Sequence, residues 1–179
     1  MLAPVIQPLA AVIYERGQDI DALFIDVSAK LRTQGVRVGG LIQQSTRSSE
    51  ACAAGINVVD LQTGQTFDIW QKRGRDARGC RLDERGLLVA EPAILSAVGS
   101  GVDLIVINRF GRAESLGRGL LGCFQAALEA EIPILTAVRA PYCEGWEAFH
   151  GGLGGTLEPN VSHVMSWLLA AAPLRHAYW

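Results

Sequence analysis

The stretch that decides the fold is Val102-Asp103-Leu104-Ile105-Val106-Ile107, which breaks abruptly into the polar, glycine-rich segment NRFGRAESLGRG at 108–119. A β-branched, apolar run of this length is too short for a buried helix. It is typical of a strand that is covered on both faces of a sheet. We therefore predict that 102–107 is a central strand and that the polar segment forms the loop at its carboxyl end.

Strands and helices alternate on either side of this run. Short apolar runs predict further core strands at 9–14, 36–43 and 133–138, and helical spacing predicts helices at 21–34, 92–100, 120–130 and 161–172. Asp19 and Asp21 are both suited to cap the first helix. Two runs around Gln62-Thr63-Gly64-Gln65 predict a β-hairpin, as an insertion or an antiparallel edge, and the glycines at 151–155 predict a flexible turn. The fold class is therefore α/β, a mainly parallel sheet with helices on both faces.

Composition excludes several classes of protein. The chain has 179 residues, a net charge of -2, 49% hydrophobic residues and 19% charged residues. This suits one α/β domain over 1–179 and argues against disorder. The near-neutral charge balance also argues against a dedicated nucleic-acid binder, whose affinity would rest on a basic face. No apolar run approaches the roughly 18 residues of a membrane span, and the start lacks a basic signal-peptide region, so we expect a cytoplasmic protein.

Cysteine and histidine spacings do not indicate a metal site. Cys52, Cys80, Cys123 and Cys143 are scattered without a CxxC pattern, and no HxH or HExxH pattern exists. In the cytoplasm, disulfides are not expected, so we predict that Cys80 is a free thiol.

Polar residues follow each of the four predicted core strands, at 14–17, 43–45, 108–111 and 139–142. Ligands of open α/β sheets gather at such carboxyl ends. Three of these exits carry an arginine and the fourth carries paired glutamines. Because arginine grips oxyanions in bidentate fashion, we predict a site for a small anion or a phosphate. The expected ligand contacts are Arg16, Gly17, Gln43, Asn108, Arg109, Gly111 and Arg139.

The alternative is that these arginines only pair with acids of the chain. Asp19, Asp21 and Glu114 are the acids within reach along the sequence. If they neutralise the arginines, the cluster is structural; if they point away, an anion should occupy the gap.

A second group of residues surrounds Cys80. This thiol lies between Arg78 and Arg81, an electropositive setting of the kind that activates cysteines. A catalytic or redox role and an inert thiol both remain open. The residues that would act with it, or support the site, are Arg81, Asp83 and Glu114. Trp146 and Phe149, at helical spacing, favour packing over a stacking platform.

The strand and loop order, with VGGLIQ at 38–43 and DLIVINRFG at 103–111, resembles the P-loop nucleoside-triphosphatase family first described in thermophiles. Segment 103–111 then takes the place of the Walker B strand, with Glu114 as the acid that follows it. The combination RGxxAxGCRLD, VINRFG, GRGL and FHGGLG is more closely similar to a bacterial family of unknown function, whose members tend to be encoded near molybdenum-uptake genes. The resemblance implies a P-loop-like fold and a ligand related to molybdate.

The departures from the P-loop pattern concern catalysis. A working loop has the form GxxxxGK[ST], whereas Glu15–Ala22 contains one glycine, no lysine and no hydroxyl residue. Asn108 and Arg109 stand at the Walker B acid positions, and neither is a good magnesium ligand. Two functions of different classes follow. We favour a non-catalytic domain that binds a nucleotide or an oxyanion; the alternative is an enzyme with a rebuilt site, such as a hydrolase or a small-molecule transferase. No cofactor is indicated, and the architecture is compatible with a homodimer.

Overall fold

The computed structural model describes residues 7–46, 55–71, 81–82 and 84–171. Its strands are β1 (Leu9–Ile13), β2 (Val38–Thr46), β3 (Gly55–Asp60), β4 (Thr66–Asp68), β5 (Trp70–Gln71), β6 (Arg81–Leu82), β7 (Leu104–Ile107), β8 (Ile134–Val138) and β9 (Gly154–Leu157). Its helices are α1 (Ile20–Thr33), α2 (Glu84–Val89), α3 (Glu91–Gly99), α4 (Arg112–Ser115), α5 (Leu121–Glu129), α6 (Cys143–His150) and α7 (Val161–Ala171).

The main sheet has the strand order β4-β3-β2-β7-β8-β1-β9. Strands β2, β7, β8, β1 and β9 are parallel to one another. Strand β3 is antiparallel to both β2 and β4, and β3 and β4 form the hairpin on one side of the sheet. The small sheet contains β5 and β6. The predicted α/β class is confirmed, and β7 lies near the middle of the sheet with all four residues buried.

Both faces of the sheet are covered, as the uninterrupted apolar strands predicted. On one face Ile105 and Ile107 pack in a cluster with residues of α3, α5 and α6. On the other face Leu104 and Val106 pack with residues of α1 and α7. Successive side chains of a strand point to opposite faces. A strand without polar alternation is therefore stable only with helices on both sides.

The two glycines in VGGLIQ allow β2 to lie tightly against its neighbours. Gly40 has φ +103°, and a Cβ there would run into the backbone of Val106 on β7. At Gly39 a Cβ would lie 2.6 Å from the Ala97 side chain on α3. A side chain at either position would push β2 away from the centre of the sheet.

The prediction that 151–155 is a flexible turn was wrong in its second half. Gly154 begins β9, which is parallel to β1 and pairs Gly154 with Leu9. The Nδ1 atom of buried His150 accepts hydrogen bonds from the N–H groups of Gly152 and Gly154, at 3.1 Å and 3.0 Å. These bonds guide the chain from α6 into the sheet edge. Glycine has low strand propensity, so the local sequence gave no sign of this strand.

The aromatic residues of α6 belong to the core. Trp146 is fully buried, and its ring centroid lies 5.3 Å from that of Phe110 and 6.1 Å from that of Phe149. Packing, and not a stacking platform, accounts for these side chains.

Candidate functional site

The carboxyl ends of β7, β8 and β1 open side by side at one edge of the sheet. Backbone hydrogen bonds continue the pairing past the strand ends: the Tyr14 N–H donates to the Val138 carbonyl at 3.1 Å, and the Phe110 N–H donates to the Ala137 carbonyl at 3.0 Å. The predicted exits after these three strands therefore share one edge, which we call the carboxyl edge.

Asp21 connects three of the elements that meet at this edge. It is the second residue of α1, and its Oδ1 accepts hydrogen bonds from Asn108 Nδ2 at 2.9 Å and from Arg109 Nη2 at 3.1 Å. Its Oδ2 accepts a hydrogen bond from Gln43 Nε2 at 3.3 Å. Gln43 was expected as the last residue of its strand, but β2 continues to Thr46 and Gln43 lies inside it. Three residues predicted as ligand contacts thus meet around one acid of the chain.

The guanidinium of Arg109 is held on two sides. Besides Asp21, it contacts Tyr14, whose hydroxyl oxygen accepts a hydrogen bond from Nη1 at 3.1 Å. Its side chain is 36% exposed, whereas that of Asp21 is 16% exposed. Asn108 is buried, and its Oδ1 and the Nε of Arg109 have no hydrogen-bond partner among the described residues. Arg109 is therefore paired with an acid of the chain, Asp21, as the alternative to an anion contact predicts.

Arg16 and Arg139 differ from Arg109. Both are exposed, and neither has an ion pair or a side-chain hydrogen bond to another residue in the part of the chain that the structure describes. Arg139 directly follows β8, and Arg16 lies in the loop between β1 and α1. Asp21 therefore does not offset the charges of these two side chains.

The loop between β1 and α1 is organised by its own side chains. Gln18 Oε1 accepts a hydrogen bond from the Glu15 N–H at 2.7 Å, and Gly17 has φ +99°. Asp19 caps α1, because its Oδ1 accepts a hydrogen bond from the Ala22 N–H at 2.9 Å. Of the two predicted caps, Asp19 performs that role, and Asp21 is left for the contacts with Asn108 and Arg109.

Glu114 holds the loop around α4 together. The buried carboxylate accepts a hydrogen bond from the Gly111 N–H at 3.0 Å and another from the Leu120 N–H at 3.1 Å. Gly119 has φ +67°, and a Cβ there would collide with this carboxylate. Both oxygens of Glu114, and the N–H of Gly111, are thus used within the loop.

Cys80 and Asp83 lie outside the described residues, and Arg81 is described only as a member of β6.

Cys123 and Cys143, which are described, are free cysteines. Burial, together with the charge of Glu91, raises the pKa of Cys123 to about 12. This thiol is therefore a packing residue and not a nucleophile.

A separate cavity opens at the opposite edge of the sheet. It has a volume of about 450 Å³, and its lining includes Arg32, Arg37 and Gln62. Arg37 forms an ion pair with Asp103 at 2.9 Å, and Arg32 donates a hydrogen bond to the Leu61 carbonyl. The arginines of this cavity already have partners, which distinguishes it from the carboxyl edge.

Comparison with known families identifies the chain. Residues 9–167 match the family described as "Protein of unknown function (DUF2478)". The chain belongs to this family. The DUF2478 chain is also 39% identical, over 159 residues, to the protein named "Molybdenum import ATP-binding protein ModC 2" of Bradyrhizobium diazoefficiens (strain USDA 110). The match covers 89% of this chain but spans only 18% of the length of that relative.

Two solved structures share the fold of the DUF2478 chain. The solution structure of a human cancer-related nucleoside triphosphatase has a TM-score of 0.58 at 18% identity and covers 84% of this chain and 87% of its own. The crystal structure of THEP1 from the hyperthermophile Aquifex aeolicus has a TM-score of 0.57 at 13% identity and covers 89% and 99%. The DUF2478 fold is thus a P-loop nucleoside-triphosphatase-like fold, as the resemblance implied.

The magnesium ion that this fold class implies does not fit the residues of the DUF2478 chain. In P-loop enzymes a hydroxyl near the start of the first helix and a Walker B acid hold the metal. Here Ala22 takes the place of the hydroxyl residue in the first turn of α1, and the residue after β7 is Asn108. An amide nitrogen and a guanidinium, both donors, face the Asp21 oxygens. Among the described residues, no three acids, histidines or cysteines come together as a metal site.

No helix within the described residues is both long enough and apolar enough to cross a membrane.

Proposed function

We propose that this DUF2478 chain binds a small oxyanion or a nucleotide phosphate at its carboxyl edge and does not hydrolyse nucleoside triphosphates. One observation carries the proposal: Asp21 offsets the charge of Arg109, whereas Arg16 and Arg139 follow neighbouring strands and have no acidic partner among the described residues. These two guanidinium groups can therefore donate hydrogen bonds to an anion at this edge.

The binding part of the proposal rests on charge and backbone geometry. Arg16 and Arg139 follow neighbouring parallel strands, and an anion that accepts hydrogen bonds from both would offset their charges. A guanidinium donates paired hydrogen bonds that match the oxygens of phosphate-like ions. The positive end of the α1 dipole lies at the same edge and adds to the attraction. Arg16 and Arg139 are the proposed direct contacts, and Gly17 allows the loop to approach a ligand closely.

The non-catalytic part rests on what the first helix offers. Phosphoryl transfer depends on positioning and on neutralising the charge of the phosphates. The loop before α1 has no lysine, and Ile20 at the start of the helix is buried in the core. The Asp21 carboxylate adds negative charge where a triphosphate would need positive charge. We therefore expect binding without turnover.

The name of the similar ModC 2 protein makes molybdate the first anion to test. Molybdate, tungstate, sulfate and phosphate are all tetrahedral oxyanions, and arginines recognise them through the same geometry. We propose a role in molybdenum metabolism in the cytoplasm on this basis. The sequence-based expectations of a single domain and of a homodimer remain predictions. No contact among the described residues favours the alternative of a rebuilt enzyme site.

Titration calorimetry tests the proposal, with sodium molybdate, sodium tungstate, inorganic phosphate and ATP as separate probes. Arg139→Gln and Arg16→Gln should each weaken binding of the best anion by about 10- to 100-fold, because a hydrogen bond to a charged group contributes about 1.5–3 kcal/mol. Lys30→Gln is the control, because it removes one exposed charge from the far end of α1. Absence of binding for all four anions, or equal affinity in all variants, would contradict the proposal.

A further inference from the structure

We infer that the Arg109 guanidinium occupies the place of the divalent cation in this fold, so that the site binds its anion without a metal ion. The second half of this statement rests on the proposed function. The first half concerns Asp21 and Arg109 alone and can be tested without any anion.

The positions of the residues around Asp21 are the first argument. Asp21 lies in the first turn of α1, one residue before the position of the P-loop hydroxyl, which is Ala22 here, and Asn108 lies at the end of β7, where P-loop enzymes carry the Walker B acid. In this chain the two side chains are bonded to each other at 2.9 Å, through the amide nitrogen of Asn108. The cation that lies beside the carboxylate is the guanidinium of Arg109, whose Nη2 is 3.1 Å from Oδ1.

The donors around Asp21 are the second argument. An ionised carboxylate has about four acceptor positions, and three are used by Asn108, Arg109 and Gln43. Magnesium requires oxygen ligands in nearly ideal octahedral geometry. To enter, it would have to displace the Asn108 and Gln43 amide nitrogens and remain next to a guanidinium that never loses its charge.

The orphaned oxygen of Asn108 is the third argument. Asn108 Oδ1 is buried and has no partner among the described residues, because the amide presents its nitrogen to Asp21. If Arg109 were absent, a rotation of this amide would present an oxygen to the same place, and Gln43 could do likewise. Asp21, Asn108 and Gln43 would then supply three oxygen ligands. Arg109 is therefore the residue that keeps a metal out.

Binding of Mn²⁺, followed by electron paramagnetic resonance, tests the first half. Wild-type protein should show no Mn²⁺ site in the accessible concentration range. Arg109→Ala should gain one, so that the apparent Mn²⁺ affinity rises at least tenfold above the wild-type limit. Arg112→Ala is the matched control, because Arg112 is an exposed arginine three residues further along. The double change Asp21→Asn with Arg109→Ala should lose the gained site, and circular dichroism would verify that each variant is folded. A wild-type Mn²⁺ site as strong as that of Arg109→Ala would overturn the inference, as would a folded Arg109→Ala protein that gains none.

Anion affinity measured with EDTA and with excess Mg²⁺ tests the second half. Molybdate and phosphate are the probes, because they are bound by magnesium much less than ATP is. We expect the affinity of wild-type protein to change less than twofold between the two conditions. Binding that requires Mg²⁺ would overturn the inference and leave the proposed function standing. Absence of anion binding would refute the proposed function, while the Mn²⁺ result would still decide the role of Arg109.

Discussion

Asp21 and Asn108, which are 87 residues apart in the chain, are joined side chain to side chain by a hydrogen bond of 2.9 Å. This bond ties the start of α1 to the end of β7. The same carboxylate oxygen also accepts a hydrogen bond from Arg109, so Asp21 holds the guanidinium beside the start of α1. Stability of the carboxyl edge and its capacity to accept ligands are therefore linked through Asp21.

Asp21→Asn should lower the free energy of unfolding by about 1–3 kcal/mol, because it leaves the partly buried Arg109 without its counter-ion. Urea denaturation measures this change. Asp26→Asn, on the same helix, breaks an ion pair whose side chains are 52% and 51% exposed, and should cost less than about 1 kcal/mol. Equal losses in the two variants would mean that the Asp21 bridge has no special weight.

The purified protein should not release phosphate from ATP or GTP at the rates of ordinary P-loop enzymes. The reason is the missing lysine and the donors that occupy the Asp21 oxygens. A colorimetric phosphate assay with Mg²⁺ present measures this. Turnover that disappears in Asp21→Ala, but persists in Asp26→Ala, would contradict the prediction and would place catalysis at this edge.

Gly119→Ala should destabilise the protein more than Gly117→Ala does. Both glycines have positive φ, +67° and +76°, so both substitutions carry backbone strain of about 1 kcal/mol. Only at Gly119 does the new Cβ also collide with the Glu114 carboxylate, whereas nothing lies within 4 Å of a Cβ at Gly117. Thermal melting compares the two variants. Equal melting temperatures would show that the Glu114 carboxylate moves aside easily.

Cys123 should resist iodoacetamide at pH 8 in the folded protein and react once the protein is unfolded. Burial raises its pKa from 9.0 to about 12, so the reactive thiolate is absent at pH 8. Because the folded pKa is the higher one, this group stabilises the fold fully below about pH 9, and that contribution falls as the pH rises towards 12. Peptide mapping by mass spectrometry measures the labelling. The half-buried Cys143 is the internal reference, and preferential labelling of Cys123 would contradict the assigned burial.

Local sequence patterns were sufficient for most of the parallel core. The runs at 9–14, 36–43, 102–107 and 133–138 became β1, β2, β7 and β8, with boundaries shifted by up to three residues. Such runs succeed because an uninterrupted apolar strand is stable only when helices cover both of its faces. The cap at Asp19 is also local, since its side chain bonds to a backbone group three residues away.

Two features of the sheet could not be predicted from the sequence, for a physical reason. Strand β9 begins with two glycines and exists because His150 directs the chain alongside β1. The hydrogen bond from Gln43 to Asp21 could not be predicted, because it depends on where α1 starts relative to β2. The sequence pattern within either segment does not contain this information. Both features depend on contacts between segments that are far apart in the chain.

The sequence by itself determined the α/β class, the central position of β7, the lack of a P-loop lysine and the placement of arginines after neighbouring strands. These properties follow from hydrophobic periodicity and from residue types at strand ends, which do not depend on distant contacts. Only the tertiary structure decided which arginine is neutralised. Asp19 and Asp21 are two residues apart and chemically identical, yet one caps its own helix and the other meets Asn108 and Arg109. The direction in which α1 leaves the sheet determines this difference, because it turns one carboxylate towards the helix backbone and the other towards the end of β7.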